Sequence, residues 1–207
     1  MPSITRKPSS ADERRRAVEG QVYEAVERLL DEGESYTELS VQRIIDRAGV
    51  ARSTFYAHFR DKSDLLRRFA DRLQREVFDE GNAWTEMDNS LPGLVTTFEK
   101  GLALFRAHWP LLTAIDQTAA YDPSVRAFFA VGMDRFRDRV TAHLRERQAA
   151  GLTDPGLDPD AVSRLIVVGG AQAMADHVEH DDGGGDAAFA RELARTWWFG
   201  AYSRARG

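Results

Sequence analysis

Arg52, Ser53, Tyr56 and Arg60 fall at spacings that place them, with Ala57, on one side of a short helix. A guanidinium can meet both acceptors on the major-groove edge of guanine, and a hydroxyl can reach phosphate oxygens or base edges. Phe55 and Phe59, four residues apart, point the other way and suit a core. Lys62 opens the next helix between Asp61 and Asp64. There its ammonium, together with the free N–H groups of a helix start, could hold a phosphate. The same residues also fit an ordinary capped helix start.

Residues for bond-making chemistry are sparse. His177 and His180, with Asp176 and Glu179, form the cluster with metal-like spacing, and Asp176 and His180 share a helix face. They run into the polar stretch Asp181 to Asp186, where solvated side chains are expected, so no metal is assigned. The absence of cysteine excludes disulfides, thiol nucleophiles and thiolate metal ligands, and fits an intracellular protein. No nucleophile motif, phosphate-cradling glycine loop or zinc-protease motif is present. His58 and His108 have no catalytic partner nearby in sequence. The expectation is a protein that is not an enzyme and needs no cofactor.

The elements that carry these residues follow from spacing. Apolar residues recur every three to four positions along the 207 residues, with no sustained alternation, so the chain reads as all-α. A composition of 43% hydrophobic and 29% charged residues is that of a soluble globular chain. The amino-terminal residues have no apolar segment, and the run Leu165 to Ala175 is too short to span a bilayer. A cytoplasmic protein without membrane contact is expected. The net charge of −5 opposes nucleic-acid binding, yet Ser40 to Arg75 holds nine Lys/Arg against four acids, a basic island in an acidic chain.

Residues 1–9 form either a disordered terminus or an arm that touches DNA. Ser10 and Glu13 make a capping-box pattern before a bracing helix that ends near Glu32 and Gly33. Ser40 caps a second helix, Gly49 permits a tight turn, and a third helix runs from about Ala51 to Phe59. A fourth starts at Asp61. Gly81 to Ser90, containing Trp84, is expected to break it. Later helices start at Ser90 and Pro92, after the turn at His108, Trp109 and Pro110, at Asp122 and Pro123, at Asp158 and Pro159, and after Gly183 to Gly185, giving about nine in all.

The order of residues from Gly49 to Leu66 (G-V-x-R-x-T-F-Y-x-H-F-x-x-K-x-x-L-L) resembles the DNA-binding signature of the tetracycline-repressor (TetR) family. The resemblance covers about residues 10 to 72. It implies a homodimer with an N-terminal helix-turn-helix domain (10–66) and a ligand-binding and dimerisation domain (67–207). It places Arg52, Ser53, Thr54, Tyr56 and His58 on the recognition helix and Lys62 at the phosphate-contacting start of the next, with Ser40 completing the DNA-binding set. Ala51 departs from the pattern, since the family commonly has Ser or Thr there as a helix cap. Losing such a cap costs about 0.5–2 kcal/mol.

The later helices are richer in aromatic residues. Phe98, Leu102, Phe105, Trp109, Phe128, Phe129, Met133, Phe136 and Met174 are either ordinary core or, as the resemblance implies, the walls of a pocket for a small lipophilic ligand. Gln117 and Tyr121 are among its polar anchors. Small residues on the penultimate helix and aromatics all around the last suggest a partner surface, with Val167, Gly170, Met174, Trp198 and Tyr202 at a dimer interface. Trp109, Pro110 and this aromatic tail are faintly similar to the ethionamide-regulator branch, which binds lipophilic ligands. The expected function is a ligand-released repressor bound to double-stranded operator DNA. The alternative is a dimeric small-molecule-binding protein with a vestigial helix-turn-helix.

Overall fold

Helical spacing throughout the sequence becomes nine α-helices, with no strand among the described residues. The structure, a computed structural model, describes the backbone of residues 10–87 and 89–203 and the side chains of 13–75 and 89–203. In chain order the helices are α1 (Ser10–Asp31), α2 (Val41–Ala48), α3 (Arg52–His58), α4 (Lys62–Met87), α5 (Leu91–Ala107), α6 (Trp109–Tyr121), α7 (Pro123–Ala149), α8 (Pro159–His180) and α9 (Asp186–Trp197). A wide turn, Trp198–Tyr202, follows α9, and the Ser203 N–H closes it by donating to the Trp198 carbonyl at 2.6 Å.

The chain divides into two compact units. The first takes the described residues of Met1–Ala70 and Pro110–Arg126, the second those of Asp71–Trp109 and Ala127–Gly207. Helices α4 and α7 therefore each supply residues to both.

In the first unit, Val22, Val26 and Leu29 of α1, Ile44 of α2, Phe55 and Phe59, and Leu65 and Leu66 of α4 are fully buried. Tyr23 anchors this core with its ring 5.9 Å from that of Phe59 and 4.7 Å from that of Phe69. Ion pairs from Arg43 to Glu34 (2.6 Å) and from Arg47 to Glu32 tie α2 to the turn that follows the bracing helix. Thr118 and Val125 are also buried in this unit, and the Ser63 hydroxyl donates to Asp122 at 2.6 Å.

In the second unit α5 and α9 pack together, with Phe98 edge-on to Trp197 at 5.0 Å. Leu94, Leu102, Val140, Leu144, Val167 and Val178 complete the core around them. Ser90 caps α5 by accepting from the Gly93 N–H, and Asp158 caps α8 by accepting from Asp160 and Ala161. The Gln74 amide donates to the Phe129 carbonyl at 3.3 Å, crossing α7 where Gly132 leaves room for it.

One expected boundary is corrected. Helix α4 does not break at Gly81 but continues to Met87. A helical glycine costs only about 1 kcal/mol relative to alanine, too little by itself to end a long helix. The amino-terminal arm and the side chains of Ser10, Val77 and Trp84 lie outside the described residues.

Candidate nucleic-acid interface and the helical body

Helix α3 and the turn before it are built locally. Ser40 Oγ accepts from the Arg43 N–H at 3.1 Å, starting α2. Gly49 ends it at φ +67°, a left-handed conformation that a side chain disfavours. The chain then enters α3 through Ala51, which gives no side-chain cap. Burial of Phe55 and Phe59 holds α3 in place of the missing cap. Arg52, Ser53, Tyr56 and Ala57 consequently face outward, Tyr56 at 45% exposure, while Thr54 is half-buried.

Arg52 is held without being neutralised. Its Nη1 donates to Gln42 Oε1 at 3.4 Å, and its guanidinium lies 5.5 Å from the centre of the Tyr56 ring. Its neighbours are differently placed. Arg43 and Arg47 pair with acids in the loop after α1, and Arg60, Arg67 and Arg68 gather on the buried Asp64. Burial alone would raise the Asp64 carboxyl. The Arg60 N–H and the charges of Arg68 and Arg60 outweigh it and hold the group below the usual carboxylate range.

Lys62 does something other than what was expected of it. Its ammonium donates to the carbonyls of Tyr36 (2.8 Å), Thr37 (2.9 Å) and Leu39 (2.8 Å). Those three bonds use every ammonium proton. Tyr36 answers by donating its hydroxyl to the Lys62 carbonyl at 2.7 Å. Desolvation pulls the Lys62 pKa below the usual lysine value. The side chain thus fastens the loop before α2 to the start of α4, leaving no proton for a phosphate. His58 is half-buried with Nδ1 3.5 Å from Glu19 of α1, at the edge of an open groove of about 330 Å³ lined also by Arg14, Arg15, Val18 and Ala57.

Among the residues expected to bind ligand, Phe98 and Leu102 are core, and Leu102 has no surface left to offer. Phe105, Trp109, Met133, Phe136 and Met174 are partly buried against that core, and Phe128 and Phe129 are half-buried on α7. Gln117 and Tyr121 belong to the first unit and are exposed, Tyr121 at 61%.

The residues expected at a dimer interface are placed as follows in the second unit. Val167 and Tyr202 are buried in their own unit. The Trp197 ring lies 2.9 Å from where a Cβ on Gly170 would stand, so this glycine serves an internal contact. Trp198 lies under the Arg147 guanidinium at 5.1 Å. The outward face of α8 carries Leu165 (71% exposed), Val168 (56%) and Gly169, and the terminal turn exposes Phe199 (59%).

The histidine cluster is rearranged too. His177 Nε2 sits 2.9 Å from Asp186 of α9 and its ring stacks on Phe189 at 4.2 Å, whereas His180 Nδ1 meets the Asp176 carbonyl at 2.8 Å. Arg106 of α5 donates to both Asp186 oxygens, at 2.7 and 3.2 Å, and to the Asp181 carbonyl at 2.7 Å. Although His177, Asp181 and Asp186 could converge on an ion, the guanidinium already supplies the positive charge there. This clasp across α5, α8 and α9 went unforeseen because Arg106 and Asp186 are 80 residues apart.

Fold and exposed face together define a helix-turn-helix protein. Residues 25–69, which contain α2 and α3, match the model of the family described as bacterial regulatory proteins, tetR family. The chain is similar to this family over that segment. It is 32% identical over 135 residues to an uncharacterized HTH-type transcriptional regulator of Mycobacterium tuberculosis, an alignment covering 63% of this chain and 57% of that one. The chain thus spans just over half the length of the curated relatives it matches. Among solved structures, the fatty acid degradation regulator FadR from Bacillus halodurans superposes with a TM-score of 0.72 at 16% identity, covering 92% of this chain and 96% of that one. FadR from Bacillus subtilis, in complex with stearoyl-CoA, gives 0.68 at 19% identity, covering 85% and 95%. A regulator from Saccharomonospora viridis in complex with choline gives 0.67 at 18% identity, covering 90% and 96%. At these identities the structural likeness is one of fold. No helix among the described residues is long and apolar enough to cross a membrane.

Proposed function

We propose that the protein is a transcriptional repressor that binds operator DNA as a homodimer and is released by a small apolar molecule held in the second unit. The observation that carries the DNA-binding reading is the outward face of α3. An un-neutralised Arg52 with Ser53 and Tyr56 stands on a helix fixed from behind by Phe55 and Phe59. Ser40 sets the start of α2, Thr54 and His58 flank the reading face, and Lys62 contributes by fixing the loop against α4.

The dimer surface proposed is Leu165, Val168 and Phe199, whose exposed apolar side chains favour burial against a second copy. The ligand reading rests on the partly buried Phe105, Trp109, Phe128, Phe129, Met133, Phe136 and Met174. Neighbours of the same fold solved with stearoyl-CoA and with choline support a small-molecule occupant, and these aromatic side chains favour the more apolar of the two. Helix α4 supplies residues to both units, so a ligand that displaced it would alter the separation of two recognition helices. That separation must match about 34–36 Å, one DNA turn, or a multiple. A ligand that bound both spacings equally would release nothing. The test is fluorescence anisotropy on the DNA upstream of the coding sequence, with and without added acyl compounds. Salt-sensitive, sequence-specific binding supports the reading, and its absence on every upstream fragment refutes it.

A further inference from the structure

We propose that Gln42, on α2, is a positioning residue that aims Arg52 at a single guanine in each operator half-site. The inference rests on the DNA-reading role proposed above. The Gln42 amide lies between two groups with opposite demands. Its Nε2 donates to Asp46 Oδ1 at 2.8 Å, and its Oε1 accepts from Arg52 Nη1 at 3.4 Å. Turned over, the amide would set its NH₂ against the guanidinium and its oxygen against the carboxylate, so both neighbours impose one orientation. Asp46 stands four residues along the same helix, so helix geometry fixes the pair.

Arg52 is restrained from its other side as well. Its guanidinium lies over the Tyr56 ring, and that ring stands edge-on to buried Phe55, 5.3 Å away at 89°. A chain of fixed groups therefore runs from Asp46 through Gln42, Arg52 and Tyr56 to the core. The partners of Arg52 are neutral, so its direction is set while its charge stays available. Meeting both acceptors of guanine demands a planar group in one orientation, whereas attraction to phosphate demands only charge. Gln42 should therefore govern which base is preferred, not how tightly DNA in general is held.

The experiment measures binding of the full chain to a selected operator and to its single-base variants. The parent should favour guanine at one half-site position by roughly tenfold or more, and Arg52→Ala should erase that preference. Gln42→Met keeps the length of the side chain but removes the amide. It should reduce the preference by roughly threefold to tenfold, with binding to random DNA and the thermal melt unchanged. In the Arg52→Ala background it should change nothing at that position. Equal weakening of every fragment by Gln42→Met would overturn the positioning role. So would a base preference that still responds to Gln42→Met once Arg52 is gone, because Gln42 would then be reading a base itself. A parent unable to tell an operator from random DNA is a different result and refutes the DNA-reading role.

Discussion

Helices α3 and α8 each have an inward and an outward face, but they separate those faces differently. In α3 the chemistry itself divides them. Arg52, Ser53 and Tyr56 face outward and the two phenylalanines inward, so residue types alone tell one side from the other. In α8 both sides are apolar, with Val167, Gly170 and Val178 inside and Leu165 and Val168 outside. What separates them there is fit. The Trp197 ring comes so close to Gly170 that the helix must turn that side to its own core. Where polarity differs between faces, orientation is encoded locally. Where it does not, orientation is decided by a partner elsewhere in the chain.

The largest effect should come from charging the outward face of α8. Leu165→Glu with Val168→Glu would bury unpaired charge in the proposed interface, at a cost of several kcal/mol. Light scattering should show a monomer that keeps its helical circular dichroism. A dimer that survives would contradict the assignment of that face. Charging the opposite side tests nothing comparable, because that side is core.

Gly170→Val tests the inward face. It forces a side chain against Trp197 and should lower stability by about 1–3 kcal/mol, with the dimer retained at temperatures below the melt. If the variant is as stable as the parent but monomeric, the two faces have been assigned the wrong way round.

Helix α3 should respond in the other direction. Ala51→Ser supplies the absent cap and should stabilise by about 0.5–2 kcal/mol, read as a higher melting temperature. No gain would mean that packing of Phe55 and Phe59 already fixes the first turn completely.

The smallest effect concerns acid. Hydrogen bonds from Ser63 and Ser124 hold the Asp122 carboxyl at about 2, below its ordinary 3.8. A lowered pKa stabilises the fold fully above the ordinary value, and that contribution disappears as the pH falls toward about 2. Asp122→Asn should therefore lose less stability than the parent between those values in a pH series of thermal melts. Parallel curves would show that the Ser63 contact does not depend on the charge.

The same contrast explains what could be read in advance. Ser40, Gly49, Phe55 and Phe59 each mark a local geometry, a cap, a turn or a face, and the structure puts each to that use. The uncapped start at Ala51 was equally legible. Lys62 was not, because its carbonyl partners lie 23 to 26 residues upstream in a loop whose path no motif records. Gly81 misled because one glycine is a weak breaker within a long helix. The inward turn of Val167, Gly170 and Tyr202 and the clasp of Arg106 on Asp186 depend on packing between distant segments, which spacing within one helix cannot reveal.

The central claim is that Arg52 on α3 reads DNA. It is tested most directly by titrating the parent and Arg52→Ala against the same upstream operator and a scrambled duplex at several salt concentrations. The variant is expected to lose roughly tenfold to a hundredfold in affinity for the operator while its affinity for the scrambled duplex changes much less, with its melt and dimer unchanged. Equal operator affinity in parent and variant would contradict it.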